Sequence, residues 1–424
     1  MKKILAMILC AAMLLTFAAC GSEPVNETTE TTEETEPVDT YPYPAINDKL
    51  TWEKINAFPM KNENMTVQEM RDLCVEFMRF SKTAMWTPNA DVHYVRNAKG
   101  VEDDMFKGTV YAGLPYVGLG TGNVYRMMDH LNEKTGVMDM TEATAAPKMF
   151  GNQCSCTTYW AWGRVINSFG ATQAYTANMT QMNGYLRVGP YTYPDNQPKF
   201  SEQYTTKMVC DANGLDVMCQ SYAQMHLADG MVQYSTAGHT IMVSSEPHVE
   251  YVDGKINPAT SYVTILEQAQ TWLDYTNEAG DNAKVKNSVD KKMTFLDLFN
   301  QAYLPFTYAE FLGTKGVDKT ECSVNLSGDT VEQIKLFNAK VTANYGISDV
   351  YVSLKNANGK EVYRLAVRAT HPNARTLMIL KGGNNTYSWG DFDKLSGEYA
   401  VEVTAQLSTG ERPVLYSGKV MIEN

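Results

Sequence analysis

The chain has 424 residues, 44% of them hydrophobic and 20% charged, which suffices for two domains with sizeable cores and fits neither a fibre nor a repeat array. Acidic side chains outnumber basic ones by 48 to 36, leaving a formal charge of -12 with no basic stripe. A nucleic-acid surface needs clustered Lys and Arg to displace counterions, so that function class is excluded.

The first element is a leader: Lys2 and Lys3, an apolar run from Ile4 to Leu15, then Phe17-Ala18-Ala19-Cys20-Gly21. The run is too short to span a bilayer comfortably and has the layout of a secretory signal. Small residues directly before a cysteine resemble the lipobox of bacterial lipoproteins. That resemblance implies a signal peptide over residues 1–20, diacylation of Cys20 and a membrane anchor outside the cytoplasm. Residues 21–44 are expected to form a disordered Thr/Glu-rich tether. Seven carboxylates and no basic residue lie between Gly21 and Thr40, a stretch too polar to offset its chain entropy by burial.

Residues 45–316 read as a globular region. "TVQEMRDLCVEFMRFSKT" places Met70, Leu73, Cys74, Phe77 and Met78 on one helical stripe, with Thr66 as the N-cap. "CSCTTYWAWGRVINSFG" is a second helix, stopping at Gly170, and "GLDVMCQSYAQMHLA" a third. The pattern then changes to the strands "MVQYST", "HTIMVSS", "HVEYV" and "SYVTILEQ", rich in Val, Ile, Thr and Tyr. Helices ahead of a run of strands predict an α+β fold. Residues 317–424 carry strand-like runs and turn signals, including a hairpin at Asn358-Gly359 and another around Ser408 to Gly410. They predict an all-β, immunoglobulin-like sandwich serving as an accessory module, because no catalytic cluster is visible there.

Without Cys10 and Cys20, six cysteines remain: Cys74, Cys154, Cys156, Cys210, Cys219 and Cys322. That density is not a disulfide scaffold, although a Cys210–Cys219 pair is compatible with the spacing. Cys154 and Cys156 lack the CxxC spacing, a second pair and nearby histidines, so no metal and no cofactor are expected. A cysteine opening a helix instead meets unpaired N–H groups and the positive end of the dipole, which favour the thiolate. Acyl transfer further requires an imidazole as ion-pair partner and proton donor.

His239 in "STAGHTIMVSS" suits that role: it begins a strand, and Gly238 leaves space for the thiol. A third, polar residue usually orients the imidazole from a neighbouring strand, and "SYVTILEQ" offers Glu267 and Gln268. Alternation puts these on opposite faces, so only one serves. His93, His130, His226 and His248 have weaker claims, and "DANGLD" lacks the spacing of a calcium loop. Trp160 and Trp162 suit either the core or stacking on a ligand.

These motifs fall in the order seen in NlpC/P60 cysteine peptidases. "YAGLPYVGLGTG" is similar to their G-x-PY-x-x-G-G stretch, "NQCSCTTYWAW" to their D-C-S-G helix start, and "AQMHLADGMVQYSTAGHTIMV" to their L-x-P-G-D-L-V-x-F … H-V-G-I-Y segment. "GNQCSCTTYWAWGR" also resembles the G-Q-C-T-x-Y start of CHAP amidases. Both families imply a papain-like fold with a Cys-His pair. Alignment on "CS" selects Cys154 as nucleophile, with an apolar helical face. Alignment on "CTxY" selects Cys156, whose face of Tyr159, Trp160 and Arg164 is expected to be wetter. The resemblance places Tyr116, and Gln153 where the family carries Asp, at the oxyanion or substrate pocket. It implies hydrolysis of an amide in peptidoglycan or another cell-surface peptide; the alternative is a non-catalytic lipoprotein whose papain-like domain binds or adheres.

Overall fold

The computed structural model describes residues 41–96, 99–118, 120–140, 150–173, 175–194, 199–326, 339–379 and 394–422. The leader, Cys20 and the tether as far as Thr40 lie outside the described residues. Residues 43–424 form one compact unit of α+β architecture.

Six α-helices are described: α1 (Trp52–Asn56), α2 (Val67–Thr83), α3 (Val124–Met128), α4 (Cys154–Trp162), α5 (Thr206–Tyr222) and α6 (Phe295–Asn300). The first fourteen strands are β1 (Met85–Pro88), β2 (Val92–Val95), β3 (Glu102–Met105), β4 (Tyr111–Ala112), β5 (Leu131–Asn132), β6 (Val137–Met138), β7 (Tyr185–Arg187), β8 (Gly230–Tyr234), β9 (Gly238–Val243), β10 (Tyr251–Val252), β11 (Lys255–Ile256), β12 (Tyr262–Thr276), β13 (Asn282–Thr294) and β14 (Leu304–Tyr308). Ten of them make one sheet in the order β5-β6-β1-β4-β13-β12-β9-β8-β14-β7. Its centre is antiparallel: β8 pairs with β9, β9 with β12, and β12 with β13.

Local chemistry accounts for the helices that matter here. Thr66 accepts a bond from the Glu69 N–H while the Glu69 carboxylate accepts from the Thr66 N–H, a capping box that starts α2. The predicted stripe of Met70, Leu73, Cys74, Phe77 and Met78 is buried. α2 packs its inner face on α4, and α4 lies against β9 and β12, so the cysteine helix sits between a second helix and the sheet.

Several boundaries differ from expectation. α4 ends at Trp162, with Gly163 as its C-cap, and the chain to Gly170 runs as turns. α5 begins eight residues before Gly214, which lies inside it as a kink at φ 76°. Thr205 caps that start, with its hydroxyl accepting from the Met208 N–H. β12 continues past Gln268 to Thr276, held by β13, a strand the sequence reading did not identify. "HVEYV" yields only Tyr251–Val252, in a two-stranded ribbon with β11. All six cysteines of the described residues are free, Cys210 and Cys219 included.

The C-terminal strands are β15 (Cys322–Leu326), β16 (Ala339–Ala343), β17 (Ile347–Lys355), β18 (Glu361–Arg368), β19 (Thr376–Ile379), β20 (Gly397–Leu407) and β21 (Val414–Ile422). They form sheets of order β15-β16-β19 and β18-β17-β20-β21. Both expected hairpins are present, with Gly359 at φ 77° in the first turn and Gly410 at φ 95° in the second. Val341 and Ile379 from one sheet share a core with Val352, Leu365 and Val403 from the other. A separate, larger core fills the α/β region.

Candidate active site

Cys154 is the first residue of α4, and Gln153 is the N-cap. The first intrahelical bond runs from the Thr157 N–H to the Gln153 carbonyl, so the amides of Cys154, Ser155 and Cys156 precede the helical ladder. The Cys154 thiol is hydrogen-bonded to the His239 imidazole, and the N–H groups of Thr240 and Ser155 also bond the sulfur. Burial pushes this thiol up. The hydrogen bond and positive charge of His239, with the two backbone amides, outweigh burial and hold Cys154 below the ordinary thiol value.

His239 occupies the second position of β9. Its Nε2 lies 2.9 Å from Glu267 Oε2, which leaves Nδ1 to face the sulfur. Burial pulls the imidazole down, but the Cys154 contact and then Glu267 raise it to about 10. One quarter of the side chain remains open to solvent, as proton exchange with a substrate requires. The sequence places the thiol beside Gly238, and the glycine does line the same cleft as Cys154. The space beside it is taken by Thr176 and Tyr234, against which a Cβ would collide.

Glu267 stands on β12 opposite Ser288 of β13. Its Oε1 accepts from Ser288 Oγ at 2.9 Å and from Lys291 Nζ at 3.1 Å, so both carboxylate oxygens are committed. Burial raises this carboxyl, yet the His239 bond and charge, then Lys291 and Ser288, bring it to about 2. Glu267 therefore remains an anion while it orients the ring. Gln268 points to the other face: its Nε2 donates to the Leu114 carbonyl at 2.8 Å and its Oε1 accepts from Lys82. Of the two candidates on this strand, only Glu267 reaches His239.

Cys156, two residues along the same helix, faces elsewhere. Its sulfur accepts from Gln153 Nε2 at 3.6 Å, and burial pushes its thiol up to about 12. The face it shares with Tyr159, Trp160 and Arg164 is not wet as expected; all four are buried. Loops and α3 cover it, with Trp160 Nε1 donating to the Thr121 carbonyl and Arg164 Nη1 to the Tyr125 hydroxyl. Trp162 Nε1 donates to the Ala228 carbonyl, so both tryptophans belong to the interior rather than to a stacking platform.

The sulfur of Cys154 opens on a cleft of about 320 Å³ lined by Tyr116, Gln153, Ser155, Tyr175, Thr176 and Tyr234 among others. Tyr116 is held by a bond from Gln270 Nε2 to its hydroxyl at 3.4 Å, and burial pushes its phenol up to about 12, which keeps it a donor. A larger hollow of about 450 Å³ beside α1 and α2, lined by Leu50, Phe58, Pro59 and Phe80, contains neither cysteine nor histidine. Among the described residues no group of three or more His, Cys, Asp or Glu is arranged to hold a metal. His93 pairs with Asp104, His226 with Glu246 and His248 with Glu250, all on the exposed surface; His130 lies against Phe150. The "DANGLD" run is part of the kinked α5.

One buried residue escaped the sequence reading. Lys82, at the end of α2, is fully buried; its Nζ donates to Thr157 Oγ1 of α4 at 3.0 Å and to Gln268 Oε1 of β12. Burial holds its ammonium well below the ordinary value, and the nearby charges of Cys154 and Glu267 oppose that shift. Thr157 passes the chain on to Asn152 Oδ1 at 2.7 Å, so one lysine ties the nucleophile helix, the Glu267 strand and the loop before α4 together. In the sequence it is one more basic residue in the last turn of a helix, a position with its own explanation in the dipole.

No protein-family model matches the chain and no curated protein resembles it significantly, so what this cleft does rests on the geometry of Cys154, His239 and Glu267.

Proposed function

We propose that the protein is a surface-tethered cysteine hydrolase of papain-like, NlpC/P60 type that cleaves an amide bond in peptidoglycan, with the C-terminal strands forming an immunoglobulin-like sandwich. The observation that carries this reading is the hydrogen bond between the Cys154 thiol and His239, with Glu267 fixing the other ring nitrogen at 2.9 Å. Nucleophile, base and orienting carboxylate then stand in the relation that acyl transfer needs. A binding module has no need of an imidazole fixed by a buried carboxylate beside a helix-start thiol at a cleft, and this weighs against the non-catalytic alternative.

In this mechanism the Cys154 thiolate attacks the amide carbonyl carbon. The developing oxyanion is met by the Cys154 N–H and by the Tyr116 hydroxyl at the cleft wall. The His239 imidazolium gives its proton to the leaving amine, the C–N bond breaks, and a thioester remains on Cys154. Water, deprotonated by the now neutral His239, hydrolyses the thioester and restores the pair. The charges of the resting site are already those the first step requires, because Glu267 stays ionised beside a protonated ring.

The test is incubation of residues 43–424 with purified peptidoglycan and mass spectrometry of the soluble products. Release of peptide-bearing fragments is expected from the wild type and from Cys156→Ala, and none from Cys154→Ala or His239→Ala. Release that persists in both cysteine variants would end the mechanism.

A further inference from the structure

The C-terminal sandwich reaches the start of α4 through an intervening loop and its end directly. At the front, α4 is preceded by Phe150 to Gln153, and this stretch packs against Gly120 to Asn123: the Gly122 N–H donates to the Gly151 carbonyl at 2.9 Å, and Asn152 Nδ2 donates to the Gly122 carbonyl at 3.2 Å. The approach is so close that a Cβ on Gly122 would run into the Phe150 carbonyl. That front loop is fastened to the sandwich. Thr121 Oγ1 donates to the Ala369 carbonyl at 3.2 Å, and Asn123 Nδ2 donates to Ser348 Oγ at 2.7 Å. Arg126 spans the join, with Nε 3.0 Å from Asp349 Oδ1, Nη2 donating to the carbonyls of Ser348 and Ala369, and Nη1 donating back to Thr121 Oγ1 at 3.1 Å. Arg126 and Asp349 are both buried, so this pair holds its geometry or fails outright.

At the rear, the C-cap Gly163 presents its carbonyl to Ser408 Oγ at 2.8 Å, from the turn of the second hairpin. Gly163 and Ser408 sit so close that a Cβ on the glycine would meet the serine side chain at 2.9 Å. The chain beyond α4 is held as well: Asn373 Nδ2 donates to the Thr172 carbonyl at 3.0 Å. The front bonds hold the loop that packs on Phe150 to Gln153, and the rear bonds hold backbone that follows α4.

We infer that the C-terminal sandwich is a positioning element of the nucleophile, clamping α4 through Thr121 and Arg126 at its start and Ser408 at its end, rather than an appended module. The sulfur must meet His239 and the amides of Thr240 and Ser155 at once, and α4 has no side-chain N-cap bond of its own to fix its start. A helix only nine residues long is marginal without tertiary support. α2, β9 and β12 support its sides and Lys82 and Asn152 hold Thr157, and the sandwich adds support at its two ends. Thr121, Arg126 and Ser408 touch no substrate; they act through α4.

This inference rests on the Cys154–His239 pair but not on any substrate, and its test uses none. In the full chain, alkylation of Cys154 by iodoacetamide is followed across pH by mass spectrometry of the Cys154 peptide, for wild type, Thr121→Val, Ser408→Ala and their double variant. Each change removes one hydroxyl and adds no bulk. The expected result is an alkylation midpoint below the ordinary thiol value in the wild type. In the double variant it moves up by about half a unit, roughly threefold less thiolate at pH values below the midpoint. Val352→Ala, in the sandwich core and away from the join, is expected to lower the melting temperature and leave the midpoint unchanged. A double variant with the wild-type midpoint overturns the clamp alone. A wild-type midpoint at the ordinary thiol value overturns the clamp and the hydrolase reading together.

Discussion

The first turn of α4 has two sides, and its two sulfurs differ more than their separation of two residues suggests. Both precede the helical ladder and both are buried, so they share the dipole, the first-turn amides and the loss of water. Yet Cys154 is held below the ordinary thiol value while Cys156 is pushed up to about 12. The difference lies in what faces each sulfur: an imidazole and two backbone amides in one case, a neutral glutamine amide at 3.6 Å in the other. A helix N-terminus by itself does not activate a thiol once burial opposes it; a cationic partner decides the outcome.

The largest expected effect is the one that tests this contrast directly. Cys154→Ala is expected to lower kcat/KM for amide release by about 10⁴-fold or more, as loss of a nucleophile does in acyl-transfer enzymes. Cys156→Ala is expected to leave turnover within about twofold and to cost about 1 kcal/mol of stability in urea denaturation, the effect of a small buried side chain. A second, smaller effect concerns the partner. Glu267→Gln keeps the shape but removes the charge that orients His239, and is expected to lower kcat by about 10²-fold with KM little changed.

The pH dependence follows from the same groups. The ion pair exists above the lowered thiol value of Cys154 and below the raised value of His239. Activity is therefore expected to follow a bell whose alkaline limb falls near pH 10, where the imidazolium loses its proton. Glu267, depressed from 4.5 to about 2, contributes stability that is complete above its unfolded value and is lost as the pH falls through the folded one. Urea midpoints measured from pH 5 to pH 2 are expected to fall in the wild type and to fall less in Glu267→Gln.

Lys82 sharpens the contrast from underneath. Its ammonium is buried, and the oxygens it donates to belong to the helix of one catalytic group and the strand of the other. Lys82→Met leaves Gln268 Oε1 without its donor and is expected to cost about 2 kcal/mol in urea denaturation, the penalty of a buried unpaired acceptor. Lys82→Met combined with Gln268→Leu is expected to cost less than the two single changes added together, since removing both partners of a buried bond removes the unpaired group.

What was legible in the sequence is what depends on short-range pattern. The α2 stripe, its Thr66 cap, the two C-terminal hairpins and the His239 strand all follow from periodicity and turn chemistry within some twenty residues. The choice between Glu267 and Gln268 was narrowed by alternation, but which of them meets His239 depends on how β12 lies between β9 and β13, with a register shift between Ile265 and Glu267, and β13 was not identified. Ala283 and Val285, buried within polar neighbours, were the available sign of that strand. Lys82, Ser288 and the join of Arg126 to Asp349 were not legible at all, because each depends on partners from 21 to 223 positions away. A pattern within one segment does not say what another segment will lay against it.

The smallest expected effect separates the two bonds that Glu267 makes. Its Oε2 meets His239 at 2.9 Å and its Oε1 meets Lys291 at 3.1 Å, but half of the Lys291 side chain is exposed while Glu267 is buried. An ion pair with one partner in solvent is worth at most about 1 kcal/mol and weakens with salt. Lys291→Met is therefore expected to lower activity by less than about threefold at low ionic strength and by nothing measurable at high ionic strength. Ser288→Ala, which removes the buried neutral donor to the same oxygen, is expected to act equally at both. If Lys291→Met instead matched Glu267→Gln, the carboxylate would owe its orientation to the surface lysine, and the buried Ser288 and His239 contacts would not be what fixes it.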